Sequence, residues 1–301
     1  MISLKKPVFL FWIIGLSSAA PAELATIRSG VSLVTIPVHV TTERGVSLTD
    51  LKREDFELLE DNTPQKIVSF SKQDAPLSVG FLLDASGSMR NRMRTAAESA
   101  VAFCKTANPG DEFFLIHFNE RPKLDVPFTN NPRDILRQVG RVRPFGRTSL
   151  LDAISMALAE MKNARNPRKA IVVLSDGGDN RSRHTAGQIR VAMSESDVQL
   201  YAMGIFDAAL EEVSREEQSG PDLLTALAEM TGGRHYPVSS FSDLSPISER
   251  IGLELRNQYV LGYVSTNTEL DGKYRKVKLA VKNQNPALRT EYRRGYYAPT
   301  Q

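Results

Sequence analysis

The sequence predicts an α/β domain built on a mostly parallel sheet, carried between two β-rich segments. Three observations lead there. The run Val79 to Leu83 is apolar at every position, the mark of a central strand covered on both faces, and Ala170 to Leu174 repeats it. Between Val79 and Asn257 strand-like and helix-like stretches alternate, as they do in parallel sheets joined by helices. Both apolar runs also stop abruptly in acids and hydroxyls, Asp84-Ala85-Ser86-Gly87-Ser88 and Ser175-Asp176-Gly177-Gly178-Asp179-Asn180. In an open parallel sheet, ligands bind beyond the carboxyl ends of the strands, so oxygen-bearing side chains there point to a site. The same residues also suit a turn and the N-cap of the next helix.

The chain of 301 residues has room for one large domain with a smaller companion. Its first residues read as a secretory signal peptide: Lys5 and Lys6, an apolar run from Pro7 to Leu16, and small residues ending at Ala20-Pro21-Ala22. The apolar run is about half of the ~20 residues a spanning helix needs, so cleavage near Ala22 is expected rather than a membrane anchor. No acid precedes Glu23, so losing Lys5 and Lys6 takes the formal charge from +3 to +1. A nearly neutral protein has no general pull toward nucleic acid or an anionic membrane. Cys104 is the only cysteine, which rules out an internal disulfide.

In order, Ile27 to Thr42 holds a strand whose Pro37 argues for an edge position or a bulge. Thr49 to Asp55 reads as a helical turn. Phe56 to Leu59 and Lys66 to Phe70 then read as a hairpin around the polar stretch Glu60 to Gln65. Beyond Ser88, Met93, Ala96, Ala97, Ala100, Val101 and Cys104 follow helical spacing, which places Cys104 in the core. Glu112 to Phe118 and Lys123 to Phe128 are strands, and Asn131 to Val142 is helical. Thr148 or Ser149 is the natural N-cap of the next helix, with Asp152 as a capping acid. Helices at Thr185 to Ser194, Asp222 to Met230 and Leu244 to Asn257, and strands at Val198 to Ile205 and Arg234 to Tyr236, complete the alternation. Tyr259 to Val264, Arg275 to Val281 and Arg289 to Tyr297 return to β habit, with Val277, Leu279 and Val281 alternating with Lys276, Lys278 and Lys282. The expected organisation is a signal peptide at 1–22, a β segment at 23–76, the α/β domain at 77–257, and a second β segment at 258–301 packing with the first.

If Asp84, Ser86, Ser88, Thr148 and Asp176 converge, they offer two carboxylates and three hydroxyls. Such hard oxygen donors suit Mg²⁺, Mn²⁺ or Ca²⁺ rather than zinc or copper, and a Mg²⁺ so held keeps open positions. An acidic group of a partner fits one of them.

These residues resemble a family. Asp84-Ala85-Ser86-Gly87-Ser88 is similar to the Asp-x-Ser-x-Ser signature of the von Willebrand factor type A domain, with Thr148 in the second loop and Leu174-Ser175-Asp176-Gly177 in the third. The resemblance runs from about Leu77 to Asn257, and the flanking segments look like those of secreted bacterial proteins carrying this domain. It implies a six-stranded sheet with helices on both faces and a metal-ion-dependent adhesion site. There Ser86, Ser88 and Thr148 would be direct ligands, with Asp84 and Asp176 holding the ion directly or through water. One departure stands out: the second loop often reads Gly-Gly-Thr, and here Arg147 replaces the second Gly. Its guanidinium either attracts a carboxylate beside the ion or points to solvent. Asp179 and Asn180 either reach the site or form a turn and cap.

The expected function is an exported module, periplasmic or extracellular, that binds an acidic side chain of a partner protein through a divalent cation and is not an enzyme. No Gly-x-Ser-x-Gly elbow surrounds Ser86 or Ser88, and no phosphate-binding Gly-rich loop appears. Of the four histidines, His184 alone follows a candidate loop. The alternatives are a scaffold with an empty site and a metal-dependent hydrolase or phosphoryl-transfer enzyme. Aspartyl-phosphate enzymes also end an apolar strand in Asp, but they commonly need a second acid two residues on, where Ser86 stands.

Overall fold

The computed structural model describes residues 33–72, 75–175, 178–205, 215–282 and 288–300. The expected signal peptide and Asp176 lie outside them. Strand β1 (Leu33–Thr42) leads into β2 (Phe56–Glu60), β3 (Thr63–Gln65), β4 (Ile67–Ser71) and β5 (Leu77–Asp84). Helix α1 (Met93–Cys104), β6 (Glu112–Phe118), β7 (Pro122–Thr129), α2 (Pro132–Val139), α3 (Leu150–Glu160) and β8 (Arg168–Ser175) follow. Then come α4 (Ala186–Glu195), β9 (Val198–Ile205), α5 (Arg215–Thr231), β10 (His235–Val238) and α6 (Leu244–Arg256), and finally β11 (Tyr259–Val264), β12 (Tyr274–Val281), β13 (Leu288–Tyr292) and β14 (Gly295–Tyr297).

The central sheet has six strands in the order β10-β9-β8-β5-β6-β7, parallel except for β7, which returns antiparallel to β6. Strand β5 is buried at all eight positions. The two-residue period sorts its neighbours cleanly. Val79, Phe81 and Leu83 share a core with Phe113, Leu115, Ala170 and Val172 under α1, α2 and α6. Leu82, Phe114, Ile116, Ile171 and Val173 share the other with α3, α4 and α5. Each large apolar side chain contributes about 1.5–3 kcal/mol on burial, which is why runs apolar on both faces fix the middle of the sheet. Gly80 is the exception in β5, and it faces Phe114 across the ladder. A Cβ at Gly80 would lie 2.2 Å from the Phe114 ring, so the missing side chain is what lets the aromatic lie over the strand. Cys104 packs against the first core as expected, and burial, aided by Asp111, pushes its thiol up to about 12.

The terminal strands form two four-stranded antiparallel sheets, β13-β1-β11-β4 and β14-β12-β2-β3. Their inner faces share a third core that includes Ile36, Val38, Leu58 and Leu261. Within it the rings of Phe56 and Tyr259 meet edge to face, with centroids 5.4 Å apart. Val277 and Leu279 point into that core while Lys276 and Lys278 are exposed, as their alternation predicts. A buried polar group sits beside these side chains. Glu60 accepts from Tyr263 and Tyr296 at 2.7 Å each and from Ser265, and lies 3.5 Å from Arg275. Burial alone would raise the Glu60 carboxyl, but those donors and the guanidinium hold it below its usual range.

Three local expectations change. The hairpin is tighter than predicted: β2 pairs with Thr63–Gln65, and Asp61 and Asn62 carry positive φ (45° and 67°), the conformation of a two-residue hairpin turn. Ile67–Ser71 instead joins β11 in the other sheet, so the chain changes sheets at Lys66. Pro37 sits in a strand flanked on both sides. It is tolerated because β13 pairs only from Val38 onward, leaving Pro37 with β11 alone. The expected strand Arg289 to Tyr297 divides into β13 and β14, one in each sheet.

Gly80→Ala is expected to lower stability by about 2 kcal/mol or more, because the ring of Phe114 has no room to retreat within a packed core. Thermal or urea unfolding of the two proteins measures this.

Candidate metal centre

Three loops meet beyond the carboxyl ends of β5 and β8. The first follows β5: Asp84, wholly buried, accepts from the Ser86 N–H at 2.8 Å through Oδ1 and from the Ser175 hydroxyl at 2.6 Å through Oδ2. Those two bonds join the ends of neighbouring parallel strands and aim the carboxylate. Ser86 is extended and opens a 3₁₀ turn at Gly87–Met89, which brings Ser88 back so that the Ser86 and Ser88 hydroxyl oxygens lie 3.0 Å apart. The second loop is tied to the first by main-chain bonds, Gly87 N–H to Gly146 O at 3.0 Å and Phe145 N–H to Ala85 O at 2.9 Å. The third is tied to the second by Asn180, which accepts from Thr148 N–H at 3.0 Å and donates its own N–H to Thr148 O at 3.1 Å. Thr148 is 5 % exposed.

Of the five residues expected at the site, Asp84, Ser86, Ser88 and Thr148 therefore lie on loops bonded to one another. Residues singled out less firmly in the sequence prove to build the loops. Asn180 locks Thr148, and Asp179 accepts from the N–H of Leu150 at the start of α3, so these two cap the second loop's helix. Burial pushes the Asp179 carboxyl up against the pull of the Ser182 hydroxyl and N–H and the Leu150 N–H, and its Oδ1 has no partner among the described residues. Ser149 is the N-cap position of α3 but makes no capping bond, and Asp152 is not a capping acid. Asp152 instead reaches outward, accepting from the N–H groups of Arg183 and His184 at 3.0 Å each and contacting His184 Nδ1 at 2.6 Å. Its carboxyl is thereby held below its ordinary value of 3.8, although burial alone would raise it. Ser175 and Glu120 are the bracing residues that the sequence does not flag. Ser175 stands beside Asp176 with no role of its own there, and nothing in the chain marks Glu120, which accepts from Arg147 N–H at 3.1 Å.

Arg147 fits without strain. The positive φ of the second loop falls on Gly146 (72°), and Arg147 is not among the residues with positive φ. Ser155, His184 and Asp152 form a spatial string, with His184 Nε2 at 3.3 Å from Ser155 Oγ. Its order is that of a hydrolytic triad. Ser155, however, lies in the body of α3, where helix bonds consume the main-chain N–H groups that would bind an oxyanion.

The residues fit a hard divalent cation. Two oxygens on adjacent corners of an octahedron around Mg²⁺ are separated by about 2.9 Å, since each lies roughly 2.0–2.1 Å from the ion. The hydroxyls of Ser86 and Ser88 already stand at 3.0 Å. No group of three or more His, Cys, Asp or Glu among the described residues is arranged for a metal.

Residues 79–178 match the family model of the von Willebrand factor type A domain. Over those residues, about a third of the chain, the protein is similar to that domain. A protein of Borreliella burgdorferi described as uncharacterised is 24 % identical over 233 residues, covering 70 % of this chain and 63 % of that one. The chain thus spans less than two thirds of that relative. A von Willebrand factor type A structure from Catenulispora acidiphila superposes with a TM-score of 0.52 at 13 % identity, over 91 % of this chain and 76 % of that one. Proximal thread matrix protein 1 from the mussel byssus, solved with a zinc-occupied adhesion-site motif, gives a TM-score of 0.52 at 18 % identity, over 65 % of this chain and 49 % of that one. At these identities the likeness is one of fold.

Asp152→Asn is expected to lower stability by about 1–2 kcal/mol near neutral pH through weakened bonds to the third loop. Because the folded carboxyl lies below its ordinary value, that contribution is present above the ordinary range and disappears as pH falls through the depressed value. Unfolding curves of wild type and variant should therefore converge in acid.

Proposed function

We propose that this chain is an exported protein-interaction module that holds Mg²⁺, Mn²⁺ or Ca²⁺ at Asp84, Ser86, Ser88, Thr148 and Asp176, and uses it to take an acidic side chain of a partner protein. The observation that supports this most is the 3.0 Å approach of the Ser86 and Ser88 hydroxyls on a loop bonded to the loop of Thr148. The bound cation would supply a Lewis-acidic position for a partner's carboxylate oxygen. The chain's own part is placement. Ser175 and the Ser86 N–H fix the two oxygens of Asp84, Asn180 fixes the backbone of Thr148, and the Gly87–Gly146 bond sets the distance between first and second loops. The zinc-occupied motif of the mussel protein supports a divalent cation at such loops in this fold. Export rests on the sequence of the first 22 residues. No helix among the described residues is long and apolar enough to cross a membrane.

Calorimetric titration with Mg²⁺, Mn²⁺ and Ca²⁺ should show one binding event in the wild type. It should weaken by roughly 10–100-fold in Asp84→Asn and Thr148→Ala, the range seen when a group that holds or orients an ion is lost. Partners captured from an envelope or secreted fraction should be released by chelator and absent with Thr148→Ala. Capture indifferent to both overturns the proposal.

A further inference from the structure

The loops of the candidate centre carry four exposed arginines. Arg90 directly follows the turn that bears Ser88, Arg147 precedes Thr148, and Arg181 and Arg183 follow Asn180, so all three loops contribute. All four residues are exposed. Arg181 is paired with Glu120 at 3.3 Å, whose other oxygen takes the Arg147 N–H. The guanidinium groups of Arg90, Arg147 and Arg183 have no ion pair or hydrogen bond among the described residues. Beside them Phe145 is 57 % exposed, and the bond from its N–H to Ala85 O holds it at the rim.

From this we infer that the partner surface is a cluster of acidic side chains on a polypeptide rather than one isolated carboxylate. The inference rests on the metal-mediated reading above and adds what surrounds the ion. One carboxylate occupies the ion's open position, and neighbouring Asp or Glu side chains pair with Arg90, Arg147 and Arg183. Guanidinium groups suit this because they grip carboxylates through two parallel hydrogen bonds. The carboxylates of Glu120 and Asp152 beside these loops are already engaged by Arg181, His184 and main-chain N–H groups, which leaves the other three guanidiniums for a partner's anions. The arginines stand on three separate loops that are bonded to one another, Gly87 to Gly146 and Thr148 to Asn180. A compact acidic segment matches that arrangement better than nucleic acid, whose evenly spaced phosphates call for a linear basic track. The nearly neutral chain makes the positive rim a local feature, and Phe145 offers apolar contact to a neighbouring residue of the partner.

The test uses the full chain in Mg²⁺ with two labelled synthetic peptides, one carrying a single Asp among Gly and Ser, the other the same Asp flanked by several Glu. Fluorescence anisotropy should show the Glu-rich peptide binding about tenfold more tightly, as two or three partly exposed ion pairs would provide. Arg147→Ala/Arg183→Ala should remove most of that preference while calorimetric Mg²⁺ uptake stays at the wild-type level, and added NaCl should erode the preference through screening. Equal binding of the two peptides overturns the inference, as does an undiminished preference in the double variant. Tighter binding of a single-stranded oligonucleotide or a heparin fragment of equal charge also overturns it. Failure of the metal reading looks different, as absent Mg²⁺ uptake by the wild type. The arginine inference is then still judged by the same peptide comparison in chelator.

Discussion

A carboxylate buried at the end of a central strand is expensive unless its oxygens are satisfied, and the candidate centre is built around one, Asp84. One oxygen is met by the Ser86 N–H from its own loop and the other by the Ser175 hydroxyl from the next strand. The second bond is available only because β8 lies beside β5 in parallel register, with Leu83 opposite Leu174, so both strands end at the same level. The rest of the site is assembled outward from that level by main-chain bonds, first Gly87 to Gly146, then Thr148 to Asn180.

The terminal β sheets are joined to the α/β domain by a second buried polar group. His39 of β1 is 1 % exposed and lies 3.6 Å from Glu291 and 3.9 Å from Glu254. Arg234, beside β10, pairs with both glutamates, and Tyr236 donates to Glu254 at 2.5 Å. Removing one partner from such a group leaves an uncompensated buried charge, so it ties β1 and β13 to β10 and α6 through specificity of pairing more than through area buried. The Glu60 group does the same between the two sheets themselves.

Side chains near the centre divide their work differently from what their positions in the chain suggest. Asp152 stands three residues past the cap of α3, where a capping acid belongs, yet it reaches the third loop. Asp179 makes the local turn expected of it, accepting from the hydroxyl and N–H of Ser182, and also takes the N–H of Leu150 at the start of α3, while Asn180 takes the Thr148 N–H just before it. For Asp152 the donors come from another loop rather than from its own helix. A carboxylate that gathers several donors from another loop gains more than from one local bond.

Local chemistry, legible residue by residue along the chain, is enough for the fold class and the first loop. Apolar runs on both faces specify β5 and β8 as inner strands, the abrupt change to Asp, Ser and Thr marks where they stop, and the pattern Asp-x-Ser-x-Ser places the first loop to the residue. Tertiary contacts alone settle which side chains brace the loops and that Ile67–Ser71 leaves its expected hairpin for the other sheet. Those outcomes turn on contacts between residues tens of positions apart, such as Glu120 with Arg147 or Asp84 with Ser175, and no periodicity or turn preference encodes a pairing at that range.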